Sequence, residues 1–225
     1  IMLSATPHDG RAKSFASLMN MLDPTAIADP NNYTPDDIKG LCIRRFKKDV
    51  KDQVSGSFLE RNITLERCHA SAKEEYAYDI FADMQLQMDI GKTRGSGQLF
   101  KTSLEKSLFS SPAACIKSIE ARLKKLYKKY GADDIKDIRL LEELKDALEK
   151  IKPVDFMRYQ KLLFLLRSKE YAWDAKAVDD RVVIFTERIE TMKYLAEHLR
   201  TDLGLKANAI QEISGAMSDA EQQRI

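Results

Sequence analysis

The sequence predicts an α/β fold with a large α-helical insertion. From residue 182 onward, short apolar runs alternate with helix-like stretches, which is typical of parallel strands joined by crossover helices. Between residues 112 and 152, apolar residues instead recur at the three- and four-residue spacing of amphipathic helices. We therefore expect a parallel-sheet lobe together with a helical protrusion.

Composition excludes a membrane-embedded protein and limits where nucleic acid can bind. The chain has 225 residues, of which 44% are hydrophobic and 32% charged, as expected for one or two globular domains. No apolar run approaches the roughly 20 residues that a membrane-spanning helix requires. The net charge is only +2, so a nucleic-acid footprint must come from local clusters of lysine and arginine.

The cysteines indicate a reducing compartment. Cys42, Cys68 and Cys115 stand far apart, without the paired spacing of a zinc site or a disulfide framework. Free thiols of this kind are typical of a reducing cytoplasm, and we expect a cytoplasmic protein. We also predict no metal ligands among the residues of the chain.

The chain opens on a short apolar run that ends in a turn rich in hydroxyl groups. Residues 1–3 are apolar, and Ser4, Ala5 and Thr6 follow them. This pattern is typical of a buried parallel strand that emerges at the ligand-binding edge of its sheet.

A basic cluster follows a predicted second helix. Thr34 and Pro35 supply an N-cap and a proline at the first helical position, so a helix is predicted to begin there. Its end carries four cations, Arg44, Arg45, Lys47 and Lys48. Cations are favourable at a helix C-terminus, so a solvated helix end is one explanation of this cluster.

The next segment combines a predicted strand with a predicted helix. Ile63 and Leu65 alternate with polar residues between positions 60 and 69, which favours a strand. Ser71 and Glu74 have the spacing of a capping box at the start of a helix. The apolar stripe of that helix is predicted to be core and consists of Tyr76, Ile80, Met84 and Met88.

The Gly91-Lys92-Thr93 sequence does not indicate a phosphate-binding loop. Such a loop needs a glycine five residues before the Gly-Lys pair, and Leu86 occupies that position. Without that glycine the backbone amides cannot wrap around a phosphate. We expect residues 91–97 to form a flexible connector.

The most periodic stretch begins at Ser111-Pro112 and predicts a two-helix hairpin. Gly131 closes the first helix and Pro153 follows the second, with a short turn between them that favours antiparallel packing. Residues 117–129 hold six basic side chains against Glu120 alone, whereas residues 133–149 hold seven acids against three bases. These opposite excesses either pair across the hairpin or leave a basic face for nucleic acid.

Two strand-like runs end in hydroxyl and glycine residues. Residues 182–185 are apolar, the mark of a strand buried on both faces, and a helix-like stretch separates them from a second run at 207–213. Thr186 ends the first run, and Ser214 with Gly215 ends the second. Parallel strands joined by a crossover end at one edge of a sheet, so we expect these residues side by side. Their hydroxyls and amides suit contacts with phosphates.

These segments together resemble the Swi/Snf-type DNA translocases of helicase superfamily two, in their bacterial branch. Ser4-Ala5-Thr6-Pro7-His8-Asp9-Gly10, with Leu22-Asp23-Pro24, is similar to motif III. Arg44-Arg45-Phe46-Lys47-Lys48-Asp49-Val50 is similar to the segment that joins the two lobes of these motors. Residues 183–187 with Thr191 and Leu195 resemble motif IV, and residues 214–218 with Glu221 resemble the block after it. Ala216 and Gln222 depart from the family pattern, in which glycine and arginine are common.

The resemblance implies a motor built from two P-loop (RecA-like) parallel-sheet lobes. It places the end of the first lobe and the linker at residues 1–52 and the start of the second lobe at 53–90. It places the helical protrusion at 91–152 and an incomplete second lobe at 153–225. It assigns coupling to Ser4, Ala5, Thr6, Arg44 and Arg45. It assigns DNA binding to Thr186, Ser214, Gly215, Lys47 and Lys48.

The implied activity is ATP-dependent translocation on double-stranded DNA, with ATP and magnesium as cofactors of the whole motor. The lysine, acidic and arginine motifs that bind the nucleotide lie outside this sequence, so no catalytic residue is assigned within it. We therefore expect an internal piece of a larger ATP hydrolase that is inactive alone. The alternative class is a non-catalytic helical module that docks a partner protein through residues 112–151.

Overall fold

The protein is described here by a computed structural model that covers residues 2–4, 10–43, 62–87, 96–131, 135–171, 173–177 and 179–224. The chain divides into two compact units, Ile1–Leu65 and Glu66–Ile225. Regular secondary structure in the described residues is helical.

The first unit contains helix α1, Ala12–Asn20, and a short 3₁₀ helix, Pro35–Ile38. The Asn20 side chain holds the loop after α1, because it donates to the Ile27 carbonyl at 2.9 Å and accepts the Ile27 amide at 3.0 Å. This loop thereby completes a small apolar core formed by Ala16, Met19 and Ile27.

The helix predicted from Thr34 is limited to the 3₁₀ turn. The Thr34 amide donates to the Asp37 carboxylate at 2.6 Å, so the predicted N-terminal cap does form. The turn ends at Ile38, and Gly40 follows with φ of +83°, a conformation that commonly ends helices. The predicted helix therefore does not continue toward the basic cluster.

The second unit is a helical bundle centred on helix α4. Its helices in the described residues are α2 (Ala72–Asp83), α3 (Ser96–Leu108), α4 (Pro112–Tyr130), α5 (Lys136–Glu149), α6 (Met157–Arg167), α7 (Ile189–Asp202) and α8 (Asp219–Gln222). Helices α3, α5 and α7 pack against α4, and α2 packs against α5. One apolar core runs through α2 to α7.

The predicted hairpin is present as α4 and α5. Ser111 caps α4, because its Oγ accepts the Ala114 amide at 3.1 Å, and Pro112 occupies the first helical position. Gly131 closes α4 with φ of +74°, a conformation that favours glycine. The fully buried residues that the two helices contribute to the core include Ile119, Leu126, Leu141 and Leu144.

Helix α3 begins within the stretch that was predicted to be a connector. It begins at Ser96, so the last two residues of the predicted connector are helical, while residues 91–95 lie outside the described part. Its apolar residues recur at spacing four and join the core of the bundle through Phe100, Leu104 and Leu108. The glycines before this helix obscured that periodicity.

Two buried carboxylates join helices of the second unit. Glu74 accepts the Ser71 amide at 2.8 Å, as the predicted capping box requires, and also the Met157 amide at 3.3 Å at the start of α6. The Asp137 carboxylate of α5 accepts the Gln87 amide at 2.9 Å. Each carboxylate satisfies a backbone donor of another segment at a position that is shielded from water.

The predicted parallel-sheet lobe and its P-loop (RecA-like) fold class are wrong for the described part of the chain, which contains helices and no strand. Residues 182–185 carry no regular structure, with Val183 72% and Phe185 93% exposed. The run at 207–213 begins in a turn, and Ile63 and Leu65 of the other predicted strand are exposed. The peptide groups of a helix hydrogen-bond to one another within the helix. A strand needs a neighbouring strand for its hydrogen bonds, and an apolar pattern alone does not provide one.

Candidate nucleic-acid interface

Helix α4 presents a row of lysines that we call the lysine strip, defined as Lys117, Lys124, Lys125 and Lys128. All four side chains are exposed. With 3.6 residues per turn, positions 117, 124 and 128 lie on one side of the helix, and position 125 flanks them. At 1.5 Å per residue the strip is about 16 Å long. The opposite side of α4 is anchored in the core by Ile119 and Leu126.

The acidic helix α5 does not neutralise most of this strip. One ion pair between the two helices joins Lys145 of α5 to Glu120 of α4 at 3.7 Å, with the base on α5 and the acid on α4, the reverse of the predicted direction. Glu120 also lies 3.7 Å from Lys117. Among the described residues, Lys124, Lys125 and Lys128 form no ion pair. Three of the four strip lysines are therefore available to an anionic ligand.

The acids of α5 have other partners or face another side. The Tyr127 hydroxyl donates to Glu142 at 2.5 Å, and this hydrogen bond raises the pKa of the Tyr127 phenol. Glu149 pairs with Lys145 of the same helix at 3.4 Å. A shallow groove between α2 and α5 is lined by Tyr76, Asp79, Ile80, Asp83, Leu140 and Glu143. Tyr76, which was predicted to be core, is 55% exposed in this groove.

The residues assigned to coupling lie mostly outside the described part. Ser4 is described and is exposed in the first unit. Ala5, Thr6, Arg44 and Arg45 lie outside the described residues, as do Lys47 and Lys48 of the assigned DNA contact. These assignments therefore stay predictions from the sequence.

Thr186 lies in a turn just before helix α7. Its Oγ1 accepts the Arg188 amide at 3.4 Å, and its side chain is half-buried. Since a threonine hydroxyl both accepts and donates, this bond leaves the Thr186 O–H able to donate to an anion.

Ser214 and Gly215 lie in the turn before helix α8. The Ser214 carbonyl accepts the Met217 amide at 3.1 Å and the Gln222 side-chain amide at 3.4 Å. Gly215 is exposed, and a Cβ there would meet nothing within 4 Å. The sheet edge that was predicted to bring this turn beside Thr186 is not formed in the described residues.

A buried hydroxyl cluster joins α7 to the corner between α3 and α4, and the sequence did not predict it. Thr191 Oγ1 lies 2.7 Å from Ser110 Oγ and 2.7 Å from Ser111 Oγ. Thr191 and Ser111 are both buried. Thr191 is part of the motif IV resemblance, but residues about 80 positions apart give no local signal that they meet.

The described residues contain no cluster of potential metal ligands. No three histidine, cysteine, aspartate or glutamate side chains converge there to hold a metal ion. Gly91-Lys92-Thr93 lies outside the described part.

Among the helices that are described, none combines the length and apolarity of a membrane span.

Comparison with protein-family models, with curated proteins and with solved structures finds no match to this chain. The resemblance to the Swi/Snf-type translocases therefore remains a prediction from motifs. The lysine strip of α4 is a structural observation that does not depend on those motifs.

Proposed function

We propose that this chain supplies DNA-binding and coupling segments to an ATP-dependent translocase on double-stranded DNA. The observation that carries the DNA-binding part is the lysine strip of α4. Three of its cations have no acidic partner among the described residues, and the helix that bears them is fixed in the bundle core. Rigid support keeps these charges in one row.

The dimensions of the strip suit a nucleic-acid backbone. A strand of B-form DNA carries one phosphate per 3.4 Å of helix axis, so a duplex offers several phosphates over about 16 Å, of which the strip reaches those on the facing side. Lysine ammonium groups act as point charges and do not match the paired acceptors of a base edge as arginine does. The strip therefore favours binding that is independent of base sequence.

The motif segments add neutral contacts and coupling to this proposal. Thr186, Ser214 and the Gly215 amide are offered to phosphates as hydrogen-bond donors. Ser4, Ala5 and Thr6, with Arg44 and Arg45, transmit the state of the nucleotide to the DNA-binding segments, and Lys47 and Lys48 add charge. ATP and magnesium are bound by other parts of the motor, so we expect no ATP turnover by this chain alone. DNA-stimulated turnover by the purified chain would overturn that assignment.

The test is the affinity of the chain for labelled duplexes of unrelated sequence, measured by fluorescence anisotropy. We expect replacement of Lys124, Lys125 and Lys128 by alanine to weaken binding by roughly 10- to 100-fold, because each phosphate contact adds counterion release.

The matched control removes the same charge elsewhere. Its three lysines are exposed and form no ion pair among the described residues: Lys136, Lys150 and Lys169. We expect their replacement by alanine to change affinity by less than about 3-fold. Equal losses in the two variants would show that only net charge matters and would contradict a role for the strip.

A second candidate function is a helical module that docks a partner protein on the hairpin. The groove between α2 and α5 favours it, because Tyr76 is exposed there beside Asp79, Asp83 and Glu143. Aromatic side chains are enriched at protein interfaces, and the rim of an interface is polar. A chain that binds no duplex at low salt would leave this candidate as the better explanation.

A further inference from the structure

The hydroxyl cluster of Thr191, Ser110 and Ser111 fixes the first turn of α7. Both serine oxygens lie 2.7 Å from Thr191 Oγ1, and Ser111 Oγ also accepts the Ala114 amide that starts α4. One threonine thus joins the start of α7 to the cap of α4. Removing it leaves the buried Ser111 hydroxyl and the half-buried Ser110 hydroxyl without this partner, which is costly where water has little access.

A second contact acts on the same segment. The Arg188 guanidinium donates to the Ser103 carbonyl of α3 at 3.1 Å. Arg188 and Thr191 are one helical turn apart. The first turn of α7 is therefore held by two hydrogen bonds to the α3–α4 corner and one to the body of α3. Arg188 also donates its backbone amide to Thr186, as described above.

The residues before Thr186 give it no comparable support. In the described part, residues 182–185 have no regular structure and no hydrogen bond to another segment, and they are exposed. The position of the Thr186 hydroxyl therefore depends on the α7 side of the turn. That side is held by Thr191 and Arg188.

We propose that Thr191 is a positioning residue, which holds the Thr186 turn at a fixed place relative to helix α4 and its lysine strip. The role in DNA binding rests on the proposed function. The claim that Thr191 orders residues 186–190 does not rest on the proposed function, because it concerns the free protein.

The first experiment measures amide hydrogen exchange in the free chain. We expect Thr191→Val, which keeps the shape and removes the hydroxyl, to speed exchange about 10-fold or more at residues 192–194 while α5 keeps its wild-type rates. The amides of residues 192–194 bond to the carbonyls of residues 188–190, so their exchange reports the order of the first turn of α7. Thr191→Ser, which keeps a hydroxyl, restores slow exchange. The matched control is Thr201→Val, which removes the hydroxyl of an exposed threonine on the same helix and leaves exchange at residues 192–194 unchanged. Wild-type exchange in Thr191→Val would overturn the proposal.

The second experiment is a double-mutant cycle on duplex affinity. In the wild-type background we expect Thr186→Val to weaken binding by about 2- to 10-fold, the value of one hydrogen bond. In the Thr191→Val background the same change should cost nothing further, because a displaced turn no longer offers its hydroxyl. An undiminished cost of Thr186→Val in that background would contradict the positioning role.

The two experiments separate the two claims. If the wild-type chain binds no duplex, the proposed function fails, and hydrogen exchange still decides whether Thr191 orders the turn. If the chain binds duplex but exchange at residues 192–194 is unaffected by Thr191→Val, the proposed function stands and the positioning role fails.

Discussion

The α4–α5 hairpin and the apolar run at residues 182–185 hold similar side chains in opposite environments. In the hairpin, Leu141 and Leu144 are fully buried. In the run, Val183 and Phe185 remain mostly in contact with water. The difference follows from backbone bonding, because α4 and α5 satisfy their own peptide groups and then need only an apolar neighbour.

The comparison also shows that buried core side chains, rather than the exposed run, stabilise the second unit. Full burial of a leucine side chain contributes about 1.5–3 kcal/mol, whereas an exposed apolar side chain contributes little. The core therefore holds the lysine strip and the hydroxyl cluster in place.

Cysteine labelling gives the largest expected contrast between core and exposed segments. Burial raises the pKa of Cys115 to about 12, whereas Cys68 is exposed in a segment without regular structure. The thiolate is the reactive form, and Cys115 must also wait for the bundle to open. In a Cys42→Ser variant at neutral pH, we expect Cys68 to react on the order of a thousand-fold faster than Cys115, as followed by mass spectrometry. Comparable rates would show that the hairpin core is not closed.

A pair of truncations tests the same contrast by stability. We expect Leu144→Ala to lower the free energy of unfolding by about 2–5 kcal/mol, because it leaves a cavity in the core. We expect Val183→Ala to change it by less than about 0.5 kcal/mol, since that side chain is already hydrated. Urea denaturation followed by circular dichroism measures both. A large cost at Val183 would mean that residues 182–185 are buried in solution.

A smaller effect is expected in alkaline solution. Burial raises the pKa of Tyr159, with help from its hydrogen bond to Asp202, and burial raises the pKa of Tyr194 to about 12. A raised pKa stabilises the fold below the ordinary value of 10.0, and this contribution is lost as the pH rises above it. Tyr159→Phe should cost about 1 kcal/mol near neutral pH and should lose less stability than wild type above pH 10.

The control for that measurement is Tyr76→Phe, which changes a tyrosine that is 55% exposed. Its unfolding free energy should follow the wild-type curve across the same pH range. An identical alkaline decline in Tyr159→Phe and wild type would assign the decline to other groups.

The sequence predicted the helices whose signals are local. Ser111, Pro112 and Gly131 mark the ends of α4 within a residue, and the predicted capping box at Ser71 forms. The strand predictions were wrong because a strand is defined by hydrogen bonds to a neighbouring strand, and the sequence around residues 182–185 does not identify such a neighbour. Local patterns therefore located the helices and failed at pairings between distant segments.

The candidate site was predictable to the same extent. The basic excess of residues 117–129 was visible in the sequence, but its exposure depends on where the acids of α5 point. Glu142 accepts a hydrogen bond from Tyr127, and Glu143 faces α2. The periodicity of each helix does not reveal these directions, because it does not show how the two helices pack against each other. Thr191 meets Ser110 and Ser111 across about 80 residues, so only the fold brings them together.

The salt dependence of duplex binding tests the central claim most directly. Each lysine that replaces a condensed counterion contributes about 0.9 to the slope of log affinity against log salt. The variant that lacks Lys124, Lys125 and Lys128 should therefore show a slope smaller than wild type by about 2 to 3, while the variant that lacks Lys136, Lys150 and Lys169 keeps the wild-type slope. A wild-type slope in the strip variant would mean that these lysines do not contact phosphates and would contradict the account.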